Sequence, residues 1–308
     1  MNKDSKILIV GHGGAIENGL SSYFKRNNYT NVFSTSTLGL DTTIQSSVYA
    51  FFQDKRPEYV FLASTRSGGI QANIENPADF IYHNLESQNN IFYASWKFGV
   101  TKVLYYGGSC VYPKESQQPM SEDALLTGAV EKTSEPYSVA KIAGVITAQA
   151  FRRQYGLKTV VMIPATIYGP ECDVDLKTAH VMGALIGKFA KAVKDNDESV
   201  DIWGTGNPRR EFIYIDDFVD ASLFLMNNYD DEASVNVGVG SDISIADLAQ
   251  TIGEVTGFKG VTQCDASKPD GAMQKLLDST RINNLGWNSK VTIKDGIAKT
   301  YQWYLENK

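Results

Sequence analysis

Over the first 170 residues, short β-branched runs alternate with longer stretches of helical spacing. "KILIVGHGG" is an apolar run that stops at glycines, which predicts a buried parallel strand. "GLSSYFKRN" follows with helical spacing. "NVFSTS" predicts a weak second strand, "TTIQSSVYAFFQDK" a helix and "PEYVFLAS" a third strand. "ADFIYHNLESQNNIFYASWKFGV" predicts a long amphipathic helix, and "TKVLYYGGS" the strand after it. A second long helix begins near "EPYSVAKIAGVITAQAFRRQYG", whose final glycine is a natural C-cap. "LKTVVMIPATIYGP" predicts one further strand. This strict alternation predicts an α/β fold, a Rossmann-type doubly wound parallel sheet.

After "YGP" the rhythm changes. "AHVMGALIGKFAKAV" reads as a helix, and the segments that follow alternate irregularly and carry their charge in short clusters. The expected organisation is a dinucleotide-binding domain over residues 1–170, with 212–240 returning to it. Residues 171–211 and 241–308 then form a smaller C-terminal lobe woven with the last sheet elements. There is no internal repeat and no low-complexity linker.

Bulk properties narrow the partners. A chain of 308 residues with 43% hydrophobic positions can build a substantial core. The formal charge is -6 and no basic block occurs, which argues against nucleic acid or an anionic membrane as partner. Cys110, Cys172 and Cys264 have no CxxC spacing, which points away from a disulfide framework or a zinc site. Three unpaired cysteines suit a reducing cytosol, so a cytoplasmic location is expected. The apolar core of "MNKDSKILIVGHGG" is too short for a signal peptide, and no stretch approaches 18 apolar residues.

Candidate chemistry begins at Gly11, Gly13 and Gly14, which follow the first strand and open a helix. Backbone N–H groups at such an N-terminus bind anions, and glycine lets a pyrophosphate come close. In the pattern GxxGxxG the third position is Glu17 instead of glycine. That glycine normally permits close packing of helix on strand, and Gly19 offers part of this two residues on. After the second strand an acid would hold a ribose 2′-hydroxyl and an arginine a 2′-phosphate. Ser34 to Thr37 supply neither, which leaves NAD and NADP both open.

"EPYSVAKIAG" places Tyr137 and Lys141 four residues apart, on one helix face. An ammonium beside a phenol favours the phenolate and lowers its pKa. Such a pair can exchange a proton with a carbonyl oxygen while hydride moves.

With these residues in place, the chain resembles the extended short-chain dehydrogenase/reductases, and within them the GDP-L-fucose synthase family. The resemblance runs almost end to end, through "SGGIQAN", "NPADFIYHN", "SCVYPK", "QPMSED", "EPYSVAKIAG", "AHVMGALIGKF", "WGTGNPRREFIYIDD", "VNVGVG", "SKPDG" and "KLLD". It implies a GDP-4-keto-6-deoxy sugar substrate, epimerised at C3 and C5 through enolates and then reduced at C4 with NADPH. It places the proton-exchanging pair on Cys110 and His180, and the C4 proton donor on Tyr137 with Lys141 as its partner. It implies cofactor contacts at Gly11, Gly13, Gly14, Ala15, Ile16, Asp41, Gly107, Gly108, Ser109, Lys141, Pro164, Ala165, Thr166, Ile167 and His180. It implies nucleotide-sugar contacts at Lys188, Trp203, Arg210 and Asp270, within the smaller lobe, and no metal. It also implies a homodimer formed through the two long helices.

The chain departs from the family pattern at four places. Gly108 stands where the family has serine, Thr166 and Ser134 where it has asparagine, and Glu17 where it has glycine. The family's serine helps hold the keto oxygen. If the strand through "LYYGGSC" continues, Gly108 and Cys110 share one face and Ser109 turns away. Three functions stay compatible with these residues. They are the full epimerase/reductase, a relative that acts on another GDP-4-keto sugar or keeps one half-reaction, and a nucleotide-sugar or dinucleotide binding protein without turnover.

Overall fold

A computed structural model describes residues 1–63, 66–174, 179–268 and 270–307. Ser64, at the end of the predicted strand "PEYVFLAS", and Pro269 of "SKPDG" lie outside the described residues.

The first half of the chain runs β1 (Ile7–Val10), α1 (Ala15–Arg26), β2 (Val32–Ser34), α2 (Thr35–Leu38), α3 (Gln45–Lys55), β3 (Tyr59–Leu62), α4 (Ile70–Glu75), α5 (Pro77–Lys97), β4 (Lys102–Tyr106), α6 (Glu135–Tyr155) and β5 (Thr159–Pro164). The second half continues with β6 (Thr166–Tyr168), α7 (Val181–Asp195), β7 (Ser199–Trp203), β8 (Arg209–Arg210), β9 (Phe212–Tyr214), α8 (Ile215–Asn228) and β10 (Val235–Val237). It ends with β11 (Ile243–Ser244), α9 (Ile245–Thr256), β12 (Val261–Asp265), β13 (Gln274–Lys275), α10 (Thr280–Asn284) and α11 (Ile293–Asn307).

Six strands make the central sheet, in the order β10-β5-β4-β3-β1-β2, all parallel. This is the Rossmann-type doubly wound sheet the alternation predicts. Strand order reverses between β1 and β3, and ligands bind such sheets at the carboxyl edge of that switch point. Apolar runs such as Ile7–Val10 and Val160–Ile163 are buried because helices cover both faces. Local signals set the helix ends. Pro77 and Pro136 start α5 and α6, where a missing N–H costs nothing, and Gly156 closes α6 at φ +69°.

Two predicted elements come out differently. "NVFSTS" yields only three strand residues; the Ser34 hydroxyl then accepts the Thr37 N–H and the chain coils into α2. "LKTVVMIPATIYGP" is two strands, not one. Pro164 ends β5 without an N–H to donate, and Thr166–Tyr168 pairs instead with β9. Beyond the main sheet, β7 pairs with β12 and β8 lies between β11 and β13. Helices α7 and α9 pack together beside them. No helix among the described residues is long and apolar enough to cross a membrane.

Candidate active site

The glycine turn after β1 is open on one side. Gly13 sits at φ +81°, a conformation that favours glycine. A β-carbon on Gly14 would meet nothing within 4 Å, and no side chain caps the N-terminus of α1. Ala15 and Ile16 begin that helix. Space next to an uncapped helix N-terminus fits a pyrophosphate. Gly19 does provide close packing, but against α8: a β-carbon there would stand 2.8 Å from Ile215 Cγ1. Asp41 is exposed and turned inward on its own chain, accepting the Thr43 N–H and hydroxyl at 2.9 and 2.7 Å, which lowers its pKa.

At the carboxyl end of β4 the strand stops at Tyr106, and Ser109–Val111 form a single 3₁₀ turn. Side chains in such a turn step by a third of a revolution, not by half. The strand alternation expected to carry Ser109 away from Cys110 therefore does not apply, and both residues line one small cleft with Lys275. Gly108 is extended, at φ -174°. A β-carbon on it would lie 3.5 Å from Cys110 Sγ and 3.8 Å from the Tyr137 hydroxyl oxygen. Gly107 brings β4 tight against β5, its missing β-carbon 3.2 Å from Ile163 Cγ1.

Tyr137 and Lys141 lie in the first two turns of α6. Lys141 is buried and donates to the Tyr106 carbonyl at 2.9 Å. Its ammonium is 6.0 Å from the centre of the Tyr137 ring. Burial lowers its pKa to about 8, and nearby Cys110 pulls the other way. The Cys110 thiol is raised by burial, with the Lys275 ammonium the leading influence holding it down. His180 precedes α7 and is solvent-exposed, yet desolvation by the surrounding protein lowers its pKa. Asp173 opposes that shift and Lys275 adds to it. Lys275 thus acts on both Cys110 and His180, and sequence reasoning did not single it out. Its signal was the lysine of "KLLD", paired through β13 with the arginines of β8.

The carboxyl end of β5 carries Pro164, and the chain then crosses through Ala165, whose N–H donates to the Val237 carbonyl at 2.9 Å. Thr166 and Ile167 begin β6, the Thr166 N–H donating to Glu211. Glu211 is not among the residues that the sequence motifs single out. It is buried, and its carboxylate accepts the N–H groups of Val239, Gly240 and Leu277 at 2.7 to 2.9 Å.

Lys188 and Trp203 form a second group. The Trp203 ring is 65% exposed, with the Lys188 and Lys268 ammonium groups 5.8 and 5.7 Å from it. Lys188 donates to the Asp201 carbonyl at 2.8 Å. Arg210 is lowered in pKa by burial, with Asp270 opposing. Asp270 accepts the Thr205 N–H and hydroxyl at 2.9 and 2.7 Å. A flat ring flanked by ammonium groups, with a guanidinium further in, can bind a base and a diphosphate.

A doubly wound sheet with an open glycine turn and a Tyr–Lys pair beyond β4 defines a dinucleotide-dependent enzyme class. Residues 7–238 match the NAD dependent epimerase/dehydratase family, and the chain belongs to it. It is 42% identical to GDP-L-fucose synthase 1 of Arabidopsis thaliana, across 99% of this chain and 95% of that one. Among solved structures, a GDP-6-OMe-4-keto-L-xylo-heptose reductase from Campylobacter jejuni superposes with a TM-score of 0.94 at 32% identity, covering 100% and 99% of the two chains. A GDP-mannoheptose C4 reductase from the same organism, with NADP bound, gives 0.90 at 34% identity, covering 99% of each.

Proposed function

We propose that this chain is an NADP-dependent epimerase/reductase of a GDP-4-keto-6-deoxy sugar. It would exchange protons at C3 and C5 and then reduce C4. One observation carries the reading: the Cys110 thiol and the Tyr137 hydroxyl converge on the empty side of Gly108, at 3.5 and 3.8 Å from a β-carbon built there. A ketone seated at that point would have a proton-exchanging group beside its α-carbon and a proton donor at its oxygen.

The residues divide the work as follows. Cys110 and His180 hand protons to and from C3 and C5, whose C–H bonds are acidified by the adjacent ketone. Lys275 holds positive charge between them and steadies the enolate. Tyr137 gives its proton to the C4 oxygen, and the Lys141 ammonium lowers the phenol's pKa and holds a ribose. Bound NADPH supplies the hydride. Gly11, Gly13, Gly14, Ala15 and Ile16 receive its pyrophosphate. Asp41, Gly107, Gly108, Ser109, Pro164, Ala165, Thr166, Ile167 and His180 line the rest of its bed. Lys188, Trp203, Arg210 and Asp270 hold the GDP moiety. The cofactor is NADP on the strength of the NADP-bound relative. We assign the cofactor to residues 1–170 with 212–240, and the sugar nucleotide to 171–211 and 241–308.

A homodimer is part of the proposal. The 21-residue helices α5 and α6 pack on one another and leave Tyr82, Tyr93, Val139, Ile146 and Tyr155 exposed. Three free cysteines support a cytoplasmic location.

Incubation with GDP-4-keto-6-deoxymannose in deuterated water, with and without NADPH, tests the function. Deuterium at C3 and C5 together with NADPH consumption is the expected result. NADPH consumption without deuterium would favour a second reading, a C4 reductase alone, which the two heptose reductases among the structural neighbours support. Binding without either change would leave a protein that holds the sugar nucleotide but does not turn it over.

A further inference from the structure

Besides Tyr137, the Lys141 ammonium faces two groups on β4. The Tyr106 carbonyl accepts from it at 2.9 Å. The centre of the Tyr105 ring lies 5.2 Å away, nearer than that of Tyr137 at 6.0 Å. Tyr105 is 1% exposed, and its place is fixed from two helices. Its hydroxyl donates to Gln88 Oε1 of α5 at 2.9 Å and reaches the Lys141 carbonyl of α6 at 3.3 Å. Gln88 is buried too, and its Nε2 donates to the Ala140 carbonyl at 2.9 Å. Carbonyls inside a helix keep a second lone pair for such bonds. Gly144 leaves the room: a β-carbon on it would overlap the Tyr105 hydroxyl and stand 2.6 Å from Gln88 Oε1. Helices α5 and α6 and strand β4 are thus tied together within one turn of Lys141.

Burial works against the charge on Lys141, and the Tyr137 phenol is activated only while that charge is present. An aromatic face within about 6 Å attracts a cation, most strongly where water is excluded. Tyr105 offers that face. It stays neutral itself, because burial raises its pKa well above the ordinary phenol value. Among the described residues, the titratable groups that face Lys141 are Tyr137 on its own helix, Tyr105 on β4 and Cys110 in the turn after β4. Cys110 supports the ammonium only as a thiolate, whereas the ring supports it in every state of the thiol.

We infer that Tyr105, anchored by Gln88, is a positioning residue for C4 reduction: its ring keeps the Lys141 ammonium charged and in place beside Tyr137. This rests on reading Tyr137 and Lys141 as the proton-donating pair.

Carbon-13 NMR of the full chain labelled at lysine Cε reads the ammonium directly, with the Lys141 signal assigned by its loss in Lys141→Met. The expected native midpoint is at about pH 8. Tyr105→Leu removes the ring and should lower the midpoint by about one unit. The alkaline limit of NADPH consumption with GDP-4-keto-6-deoxymannose should fall with it. Tyr105→Phe keeps the ring but loses the anchor, and its midpoint should lie between the two. Loss of structure alone would slow reduction at every pH and leave the midpoint where it was. A Tyr105→Leu midpoint at or above the native one, in a variant that thermal unfolding shows to be folded, overturns the inference. So does a Tyr105→Phe midpoint as low as that of Tyr105→Leu, which would give the role to the hydroxyl. If Tyr105→Leu does not fold, Tyr105→Phe decides: a midpoint below the native one supports the inference, and one at or above it overturns it. The NMR reading needs no turnover. Failure of the reductase reading, seen as a displaced midpoint with no NADPH consumed by the native chain, is therefore told apart from failure of this inference, seen as a midpoint that does not move.

Discussion

The β-carbon that Gly108 lacks would point at Tyr137, 3.8 Å from its hydroxyl oxygen. The backbone there is extended, so any residue could adopt it, and the nearest other atom is Cys110 Sγ at 3.5 Å. A serine would thus fit without strain and set its oxygen within hydrogen-bond reach of the Tyr137 hydroxyl. Gly108→Ser is expected to raise the rate of C4 reduction by about tenfold or more, mainly in kcat, because a donor to the building oxyanion acts on the transition state. Single-turnover reduction at saturating sugar measures this. A rate that stays level or falls would mean the site is shaped around glycine, for a different sugar or a different cofactor pose.

Tyr137→Phe should abolish NADPH-dependent reduction while sugar-nucleotide affinity changes less than about threefold, since the lost group acts on the C4 oxygen and the diphosphate is held elsewhere. Steady-state reduction paired with equilibrium binding checks it. A reduction rate that survives removes the tyrosine from the chemistry.

Lys141 sets a pH limit on the same step. Its ammonium is buried and titrates near a pKa of about 8, below the ordinary lysine value of 10.5. Below pH 8 it is charged and assists the tyrosine; above, the charge is lost and the phenol's pKa rises. Reduction should therefore decline as pH rises through about 8. Folding responds in the opposite sense. Between pH 8 and 10.5 the unfolded lysine binds a proton that the folded one has released, so this group adds stability as pH rises across that window. A Lys141→Met variant should lose both dependences. A native pH–rate profile flat from 7 to 9 would show that the ammonium does not govern the step.

The sheet and the Tyr137–Lys141 pair were legible because both follow a period: alternating apolar runs in one case, i and i+4 in the other. The 3₁₀ turn at Ser109 was not, since two glycines followed by Ser-Cys suit a strand or a turn equally well. Lys275 was hidden by distance. It lies 165 residues beyond Cys110 and comes beside it through the pairing of β13 with β8 and the bridge between Met120 and Leu277. Glu17 was visible as an anomaly in the glycine pattern, but its partners Ser34 and Ser36 come from the end of the next strand, which a linear pattern does not link. The split of "TVVMIPATIY" into two strands depended on Pro164, whose missing N–H lets the chain leave the main sheet.

Cys110→Ala should stop deuterium entry at whichever of C3 and C5 the thiol serves, even where reduction of a ketone epimerised beforehand survives. Mass spectrometry of the sugar after incubation in deuterated water reads this directly. Uptake at the native rate would assign the exchange to another base.

Lys275 makes that exchange depend on charge. It is half-buried, and its ammonium is the leading favourable influence on the Cys110 thiolate, which burial otherwise disfavours. Replacing it by methionine keeps the apolar stem and removes the charge. The thiol's pKa should then rise further, because the leading offset to its burial is gone. Proton exchange at C3 and C5 should slow at neutral pH and recover as the solution is made more alkaline, its pH profile displaced upward. Lys275→Arg should keep the native profile if the larger guanidinium fits. A simple loss of structure would lower the rate at every pH, so the displacement separates the electrostatic role from a structural one. A Lys275→Met profile that coincides with the native one, in both midpoint and plateau, would release Lys275 from this role and leave the thiolate to Ser138 and Lys141, the next influences that favour it.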